Sequence, residues 1–579
     1  MKKMLKIYLV LIAFFAFTFS GYSQVTSSGI TGKITDANNE VLPGATVVAV
    51  HQPSGTQYGT ISNSEGRFTL QGMRSGGPYQ VEVSFVGYNK ATYASINLSL
   101  GESYSLDVKL QETSVDVGEV IVMGAKGPVF NSEKNGASIN VNNRQIAMMP
   151  TISRSINDVT RLTPQANGNQ IGGGNYRQNY ITVDGAQFNN AFGIGSNLPA
   201  GGSPISLDAI DQISVNITPF DVRQSGFIGA SVNAVTRSGT NEFTGSVYTY
   251  MQNEKYKGNK VGDGTFIKNP SDYQMQGVRI GGPIIKNKLF FFVNYESEKR
   301  TVPGSPRVAA TAAAPADYTK NIARPTDVEM NTISKYLLDT YGYETGPYQG
   351  YSNESPGSKF LARIDWNINQ NHKFNVRYSD TRSKSPNYPS TSVNNFASSI
   401  YTGNRQAMDA IWFQNAGYFQ ETNFSSLASE LNSTFGGGKF SNVLRYTYSF
   451  QDEPRSTAGK LFPFVDILKD NKVFTSFGTE LFSYGNLLEV KTTTITDDFS
   501  WSMGKNRFTF GLQYEHNATK NGFMRFGASY YVFKSWDDFV NKANPQNFGI
   551  TFSNTPGYEQ AFPSFDFNQY STYLQDDIV

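Results

Sequence analysis

Few residues in this chain are equipped for covalent chemistry. Cysteine is absent from all 579 residues, which removes disulfides, thiolate metal sites, a cysteine nucleophile and a lipidated cysteine at a cleavage site. The three histidines, His51, His372 and His516, lie far apart in sequence and offer no metal-ligand spacing. Asp36, Asn38 and Glu40 alternate as calcium ligands do, but the glycine and the closing bidentate glutamate are missing, so they read as a solvated turn. Gly172–Gly174 invites a phosphate loop, yet no Lys-Ser/Thr pair follows and no strand–loop–helix frame surrounds it. The chain is therefore not expected to be an enzyme, and neither metal nor cofactor is expected. What remains is non-covalent recognition. Asn167, Gln170, Asn175, Tyr176 and Arg177 flank the glycine run, and Phe188, Asn189 and Asn190 open the next Gly/Asn-rich stretch. Amides, a guanidinium and aromatic rings on flexible loops can hold a sugar, a peptide or a chelate.

Those two loops, Ala166–Gln178 and Phe188–Gly202, flank a strand at Tyr180–Asp184 within a mixed α/β segment, residues 128–238. A short helix is expected over Ser153–Leu162, with Ile156, Val159 and Leu162 inward, and Pro164 ends it. Upstream, residues 28–112 carry seven short strand candidates separated by turn clusters, the spacing of a small β-sandwich. Tyr79, Val81, Val83 and Phe85 share one face of a strand there, and Gln80, Glu82 and Ser84 the other. In the connecting stretch, residues 113–127, an apolar strand Val120–Met123 sits between an acidic lead and a Gly-containing exit. It suits a core strand or addition to the edge of another protein's sheet. At the N-terminus, Lys2, Lys3 and Lys6 precede an apolar run too short to span a bilayer, so residues 1–23 read as a secretory signal peptide.

The stretch Ile210–Tyr250 turns this globular part into a different material. From Phe243 onward the side chains alternate with period two through ten candidate strands, from Asn241–Met251 to Asn568–Val579. Their lengths fit tilted strands crossing a bilayer, and short turns alternate with long loops, as in an outer-membrane barrel. Composition agrees: aromatics reach 14% while mean hydropathy is −0.38, the mark of strands whose two faces meet different solvents. Arg363, Asp365 and Arg377 fall on the lumen face and read as a solvated wall. Thr326 and Glu329 form a capping box for a helix in one loop. A net charge of +2 gives no support for a nucleic-acid partner. Residues 239–579 are thus expected to form the N-terminal part of an antiparallel transmembrane β-barrel. A plug of about a hundred residues needs roughly 22 strands around it, so the chain is expected to be C-terminally truncated.

Several motifs carry a family resemblance. GKITDANNEVLPGATVVAV, GTISNSEGRFTL and YQVEVSFVGY resemble the carboxypeptidase regulatory-like domain, a carbohydrate-binding-like sandwich. RSINDVTRLTP, YITVDGAQF, LDAIDQISV and ASVNAVTRSGTNEFTGSVY, in that order, resemble the plug of TonB-dependent receptors; Gly229-Ala230-Ser231 stands where a Gly-Gly pair is common. The whole is similar to the Oar-like and SusC-like branches of that family. The resemblance implies a mainly β fold of sandwich, mixed plug and barrel in the outer membrane, with plug and sandwich towards the periplasm. It implies TonB-driven import of a nutrient, the ligand (glycan, peptide or siderophore-like) being held by plug-apex and extracellular loops. Glu119, Val120, Ile121 and Val122 resemble the TonB box. A surface lipoprotein is a possible partner and the lipid bilayer a certain one; a non-transporting structural or adhesive protein is the alternative.

Overall fold

The computed structural model describes residues 25–113, 120–123 (backbone only), 137–149, 151, 154–189, 198, 203–224, 226–265, 268, 270–392, 404–556 and 562–578. The expected signal peptide, Glu119 and Asn190 lie outside these residues.

Period-two alternation builds the N-terminal sandwich. In β5 (Gly76–Ser84) Tyr79, Val81 and Val83 are fully buried while Gln80 and Glu82 keep contact with solvent. One sheet runs β4 (Arg67–Met73), β1 (Ser28–Thr35), β7 (Ser103–Ser105), with β8 (Val108–Lys109) also on β1. The facing sheet runs β3 (Thr56–Ile61), β2 (Thr46–His51), β5, β6 (Ala91–Leu98), β9 (Val120–Met123). Ile30, Ile34, Val47, Phe68 and Leu98 close the core between them, each buried side chain contributing roughly 1.5–3 kcal/mol.

The plug is a five-stranded sheet ordered β10 (Ser138–Asn142), β15 (Ile210–Asn216), β16 (Ser231–Thr236), β13 (Tyr180–Val183), β14 (Ala186–Gln187). A hairpin of β11 (Ala166–Asn167) and β12 (Gln170–Ile171) stands apart from it. The expected helix is shorter, Ile156–Thr160, because Ser155 and Asp158 form a capping box at its start; Leu162, expected inward, is exposed.

Ten antiparallel strands make the barrel wall, from Thr244–Asn253 to Ser564–Ile578. Val247, Val278, Leu444 and Leu512 face outward, whereas Asn294, Glu296 and Thr447 are buried inward. Strands are longer than bilayer crossing alone demands: Tyr418–Phe435 has 18 residues, and its added outer end carries Gln420 and Glu421, which suit water beyond the lipid. Turns at the other end are tight, with Asn287 and Gly504 taking positive φ of 61° and 60°. Among the described residues the first and last of these wall strands are the two edges of the sheet.

The long connections are not loose. The helix Asp327–Tyr341, capped by Thr326 and Glu329 as expected, packs beside a five-stranded sheet made of Ile411–Trp412, Phe464–Lys469, Lys472–Phe477, Tyr530–Phe533 and Asn547–Gly549. Met330, Ile333, Leu337, Phe413, Val465 and Phe477 form its core. Segments from four different connections, Phe533 from the last of them, contribute to this core, which no single loop could bury.

Candidate functional site

The barrel's inward face places a charge at intervals of two along several strands, and the plug answers them. Asp184 follows β13 in a left-handed turn, φ 48°, which directs its carboxylate at the wall. Its Oδ1 lies 3.3 Å from the Arg363 guanidinium and its Oδ2 2.9 Å from Arg377 Nε. That second contact is Coulombic, since Arg377 Nε has no acceptor in line with its hydrogen. The Thr236 backbone N–H and hydroxyl donate to the same carboxylate at 2.9 and 2.7 Å. Arg377 is fully buried, and its remaining nitrogens donate to Ser379 and Ser426 hydroxyls and to the Val183 carbonyl. Arg363 also pairs with Asp365 at 2.8 Å.

Two more seams repeat the scheme. Lys359 and Glu296, both buried on the wall, pair at 2.7 Å, while Ser206 of the plug donates to Glu296 at 2.9 Å and Ser203 accepts from Lys359 at 2.9 Å. Tyr248 on the first barrel strand also donates to Glu296. Asp208 of the plug pairs with Arg279 at 2.9 Å. Apolar contact backs these up: Phe188 of the plug lies 4.6 Å from Phe424 of the wall, centroid to centroid, and Phe292, Leu361 and Ala428 of the barrel join the plug core.

The sandwich touches the same network from below. Arg74 donates to Asp365 at 2.9 Å, and β3, β4 and their turns meet the barrel's tight turns through Asn63 to the Gly504 carbonyl, Asn367 to Thr56, Ser441 to Gln71 and the Asn241 N–H to the Pro53 carbonyl. Nearby, His51 is buried against Tyr79, and desolvation, helped by repulsion from Arg74, pulls its imidazole down to about 3.

The recognition residues expected from the sequence divide. Asn167, Gln170, Asn175 and Arg177 are exposed and Tyr176 half-exposed, with local partners: Asn175 caps the turn at Arg177, and Arg177 donates to the Tyr176 hydroxyl. Phe188 is not available to a ligand, being wholly buried between plug and wall. Asn189 is occupied too, accepting from the Ile181 N–H and donating to the Asn179 carbonyl at 2.7 Å each. Their stretch looked loop-like because Gly and Asn are frequent; its aromatic residue was the anchor. Arg363, Asp365 and Arg377 do face inward, but Arg363 and Arg377 meet the plug and Asp365 meets Arg363 and the sandwich's Arg74, rather than open water. Of the TonB-box-like residues, Val120, Ile121 and Val122 form β9, paired in parallel with Ala91–Ala94 of β6. Asp184, Glu296, Lys359, Ser206 and Asp208 went unnoticed. The signal available was the recurrence of charge on the inward face, which demands a partner wherever a plug excludes water.

Comparisons with known proteins agree with this architecture. The family described as an outer membrane beta barrel domain matches residues 235–578, and the carboxypeptidase regulatory-like domain matches residues 29–111. The TonB-dependent transporter Oar of Myxococcus xanthus is 25% identical over 390 residues, covering 64% of this chain and 35% of Oar. The chain thus spans about a third of that relative's length. The outer membrane transporter YddB from Escherichia coli superimposes with a TM-score of 0.50 at 10% identity, over 76% of this chain and 54% of YddB. The ferric enterobactin receptor of Pseudomonas aeruginosa, as a mutant in complex with enterobactin, gives 0.45 at 13% identity over 76% and 55%.

Proposed function

Because this chain belongs to the outer membrane beta barrel domain family, we propose that it works in TonB-dependent import, with its plug as a removable gate. The chain resides in the outer membrane and carries a carboxypeptidase regulatory-like domain. The charged seam is the observation that carries the proposal. Buried ion pairs recover little net free energy over their desolvation cost, yet they fix one geometry sharply. A plug seated through Asp184, Ser206 and Asp208 is therefore well placed but releasable once water enters, which a purely apolar seat would resist. The ligand is a glycan, peptide or siderophore-like nutrient, held outside by the folded connections and by the exposed plug residues Asn167, Gln170, Asn175, Tyr176 and Arg177. A surface lipoprotein would fit as a co-receptor over that outer layer. Val120–Val122, with Glu119 before them, are the strand recruited by TonB.

Deleting residues 115–124 tests this. A strain lacking the receptor is complemented with the intact or the deleted form, at outer-membrane levels matched by immunoblot. Growth is then scored on glycans, peptides and ferric chelates supplied as sole sources. The intact form restores growth on one of these, and the deleted form does not. Restoration by the deleted form would sink energised import and favour a structural or adhesive role.

A further inference from the structure

The position of β9 in the sandwich sheet is informative in its own right. The sheet is ordered β3–β2–β5–β6–β9, and its β3 side is seated on the barrel's tight turns: Thr56 accepts from Asn367, the Pro53 carbonyl just before β3 from the Asn241 N–H, and Asn63 just after it donates to Gly504. Four strand spacings separate β3 from β9, about 19 Å. Along β6 the plug is met only at the far end, where Gln212 donates to the Leu98 carbonyl and accepts from the Leu100 N–H. β9 instead pairs with the opposite end, Ala91 to Ala94, about 20 Å back along the strand from Thr92 to Leu98. β9 is therefore at the corner of the sandwich remote from both wall and plug, on the periplasmic side. Among the described residues its only strand partner is β6, and no described strand pairs with its other edge. Such an edge is a template for strand addition.

We propose that β9 is presented to its periplasmic partner while still paired with β6, so that a strand of TonB joins as the sixth strand of the sandwich sheet. The inference rests on the reading of Val120–Val122 as the coupling strand. It differs from capture of a free peptide, because the sandwich becomes part of the docking surface. Three features on the chain favour a basic, strand-donating partner. The lead into β9 carries Glu112, Asp116 and Glu119 with no cation before Lys126. The strand is apolar and short, too weak to bind alone by its side chains. Its pairing with β6 already orders four residues that a free peptide would have to order on binding, which raises affinity for whatever pairs next.

A disulfide decides the matter, and the chain has no native cysteine to interfere. Ala94 and Met123 are register partners across β6 and β9, at a strand spacing compatible with a disulfide. The double variant Ala94→Cys, Met123→Cys is made in the full-length receptor in detergent. Binding of the purified periplasmic domain of TonB is measured before and after oxidation, with the reduced form as its own control. The bond is expected to form, and oxidised affinity is expected to stay within about threefold of reduced. Failure of the bond to form in the folded receptor, or loss of binding by about thirtyfold or more on oxidation, would overturn the proposal. No binding to the wild-type receptor would instead remove the coupling reading beneath it, leaving the two failures distinct.

Discussion

Substituting Asp184 by Asn would test whether the seam holds the plug. The carboxylate is 8% exposed and Arg377 fully buried, with Asp184 its only anionic neighbour at 2.9 Å; Arg363 keeps a second carboxylate, Asp365, at 2.8 Å. The amide preserves shape, and its oxygen still accepts from Thr236, but Arg377 is left as an uncompensated buried cation. Breaking a buried pair from one side costs about 3–5 kcal/mol, so the fraction of receptors with an unseated plug rises by up to roughly two to three and a half orders of magnitude. Removing both charges, Asp184→Asn with Arg377→Met, should recover most of the loss, since a buried pair replaced by neutral groups is often nearly neutral. Two readouts follow the plug: single-channel conductance in planar bilayers, and cell sensitivity to antibiotics too large for ordinary porins. The single variant leaks and the double variant approaches the wild type, with a coupling of at least about 2 kcal/mol in the cycle. If the single variant is as tight as the wild type, or the double variant leaks as much as the sum of the two singles, the seam is not what seats the plug.

Other expectations are simpler. His51, neutral in the folded sandwich down to about pH 3, takes up a proton near pH 6.5 once unfolded, so the unfolded state binds more protons across that window and stability falls as pH falls. The slope is at most about 1.4 kcal/mol per pH unit below 6.5, is absent above it, and should disappear in His51→Gln; hydrogen exchange of β2 and β5 across pH 5–7.5 measures it. A Cβ at Gly239 would lie 2.4 Å from the Phe291 carbonyl oxygen and 2.6 Å from that of Gly282, so Gly239→Ala should cost about 1–3 kcal/mol by forcing the plug's exit from the wall, read as a lowered temperature for loss of heat-resistant mobility in gels. In the outer layer, Asp466 accepts from Arg405, Tyr530 and Ser476, all buried. Asp466→Asn should destabilise this layer by about 3 kcal/mol or more, opening residues 404–480 to protease while the barrel strands remain protected.

Much of the fold is written in local pattern. Period-two alternation located all ten wall strands because each residue's solvent, lipid or lumen, is set by its own position on one strand. Tight turns at Asn287 and Gly504 were legible for the same reason. The outer layer was not, since Phe413, Val465 and Phe533 come from three separate connections and none makes an amphipathic pattern alone. The site was half legible. Arg363, Asp365 and Arg377 show their face but not what fills the lumen, so a wet wall and a plug seam predict the same residues. Phe188 misled because glycine and asparagine around it mark an irregular backbone, and an irregular backbone inside a barrel can still bury an aromatic ring.

The arrangement of the plug sheet decides which part of it a pull would reach first. β9 precedes β10 by fourteen residues, 124–137, and among the described residues β10 is an edge strand, paired with β15 over Ser138–Asn142. Tension entering through the proposed coupling strand would therefore arrive at an edge strand of the plug sheet. Thr236 ends β16, two places from β10 across the sheet, and Asp184 follows β13, three places from it, and the exit at Gly239 is clamped between backbone carbonyls of the wall. Strands pulled from an edge separate pair by pair, while the interior of the sheet keeps its ladder until its neighbour is gone. Under the proposed coupling, the β10 side would yield before the Asp184 seam is loaded, and a passage would open along one flank of a plug that stays anchored at the other. Glu102 of the sandwich accepts from Ser138 and Asn140 of β10, so a sandwich that is drawn away with β9 removes two of that strand's supports in the same movement.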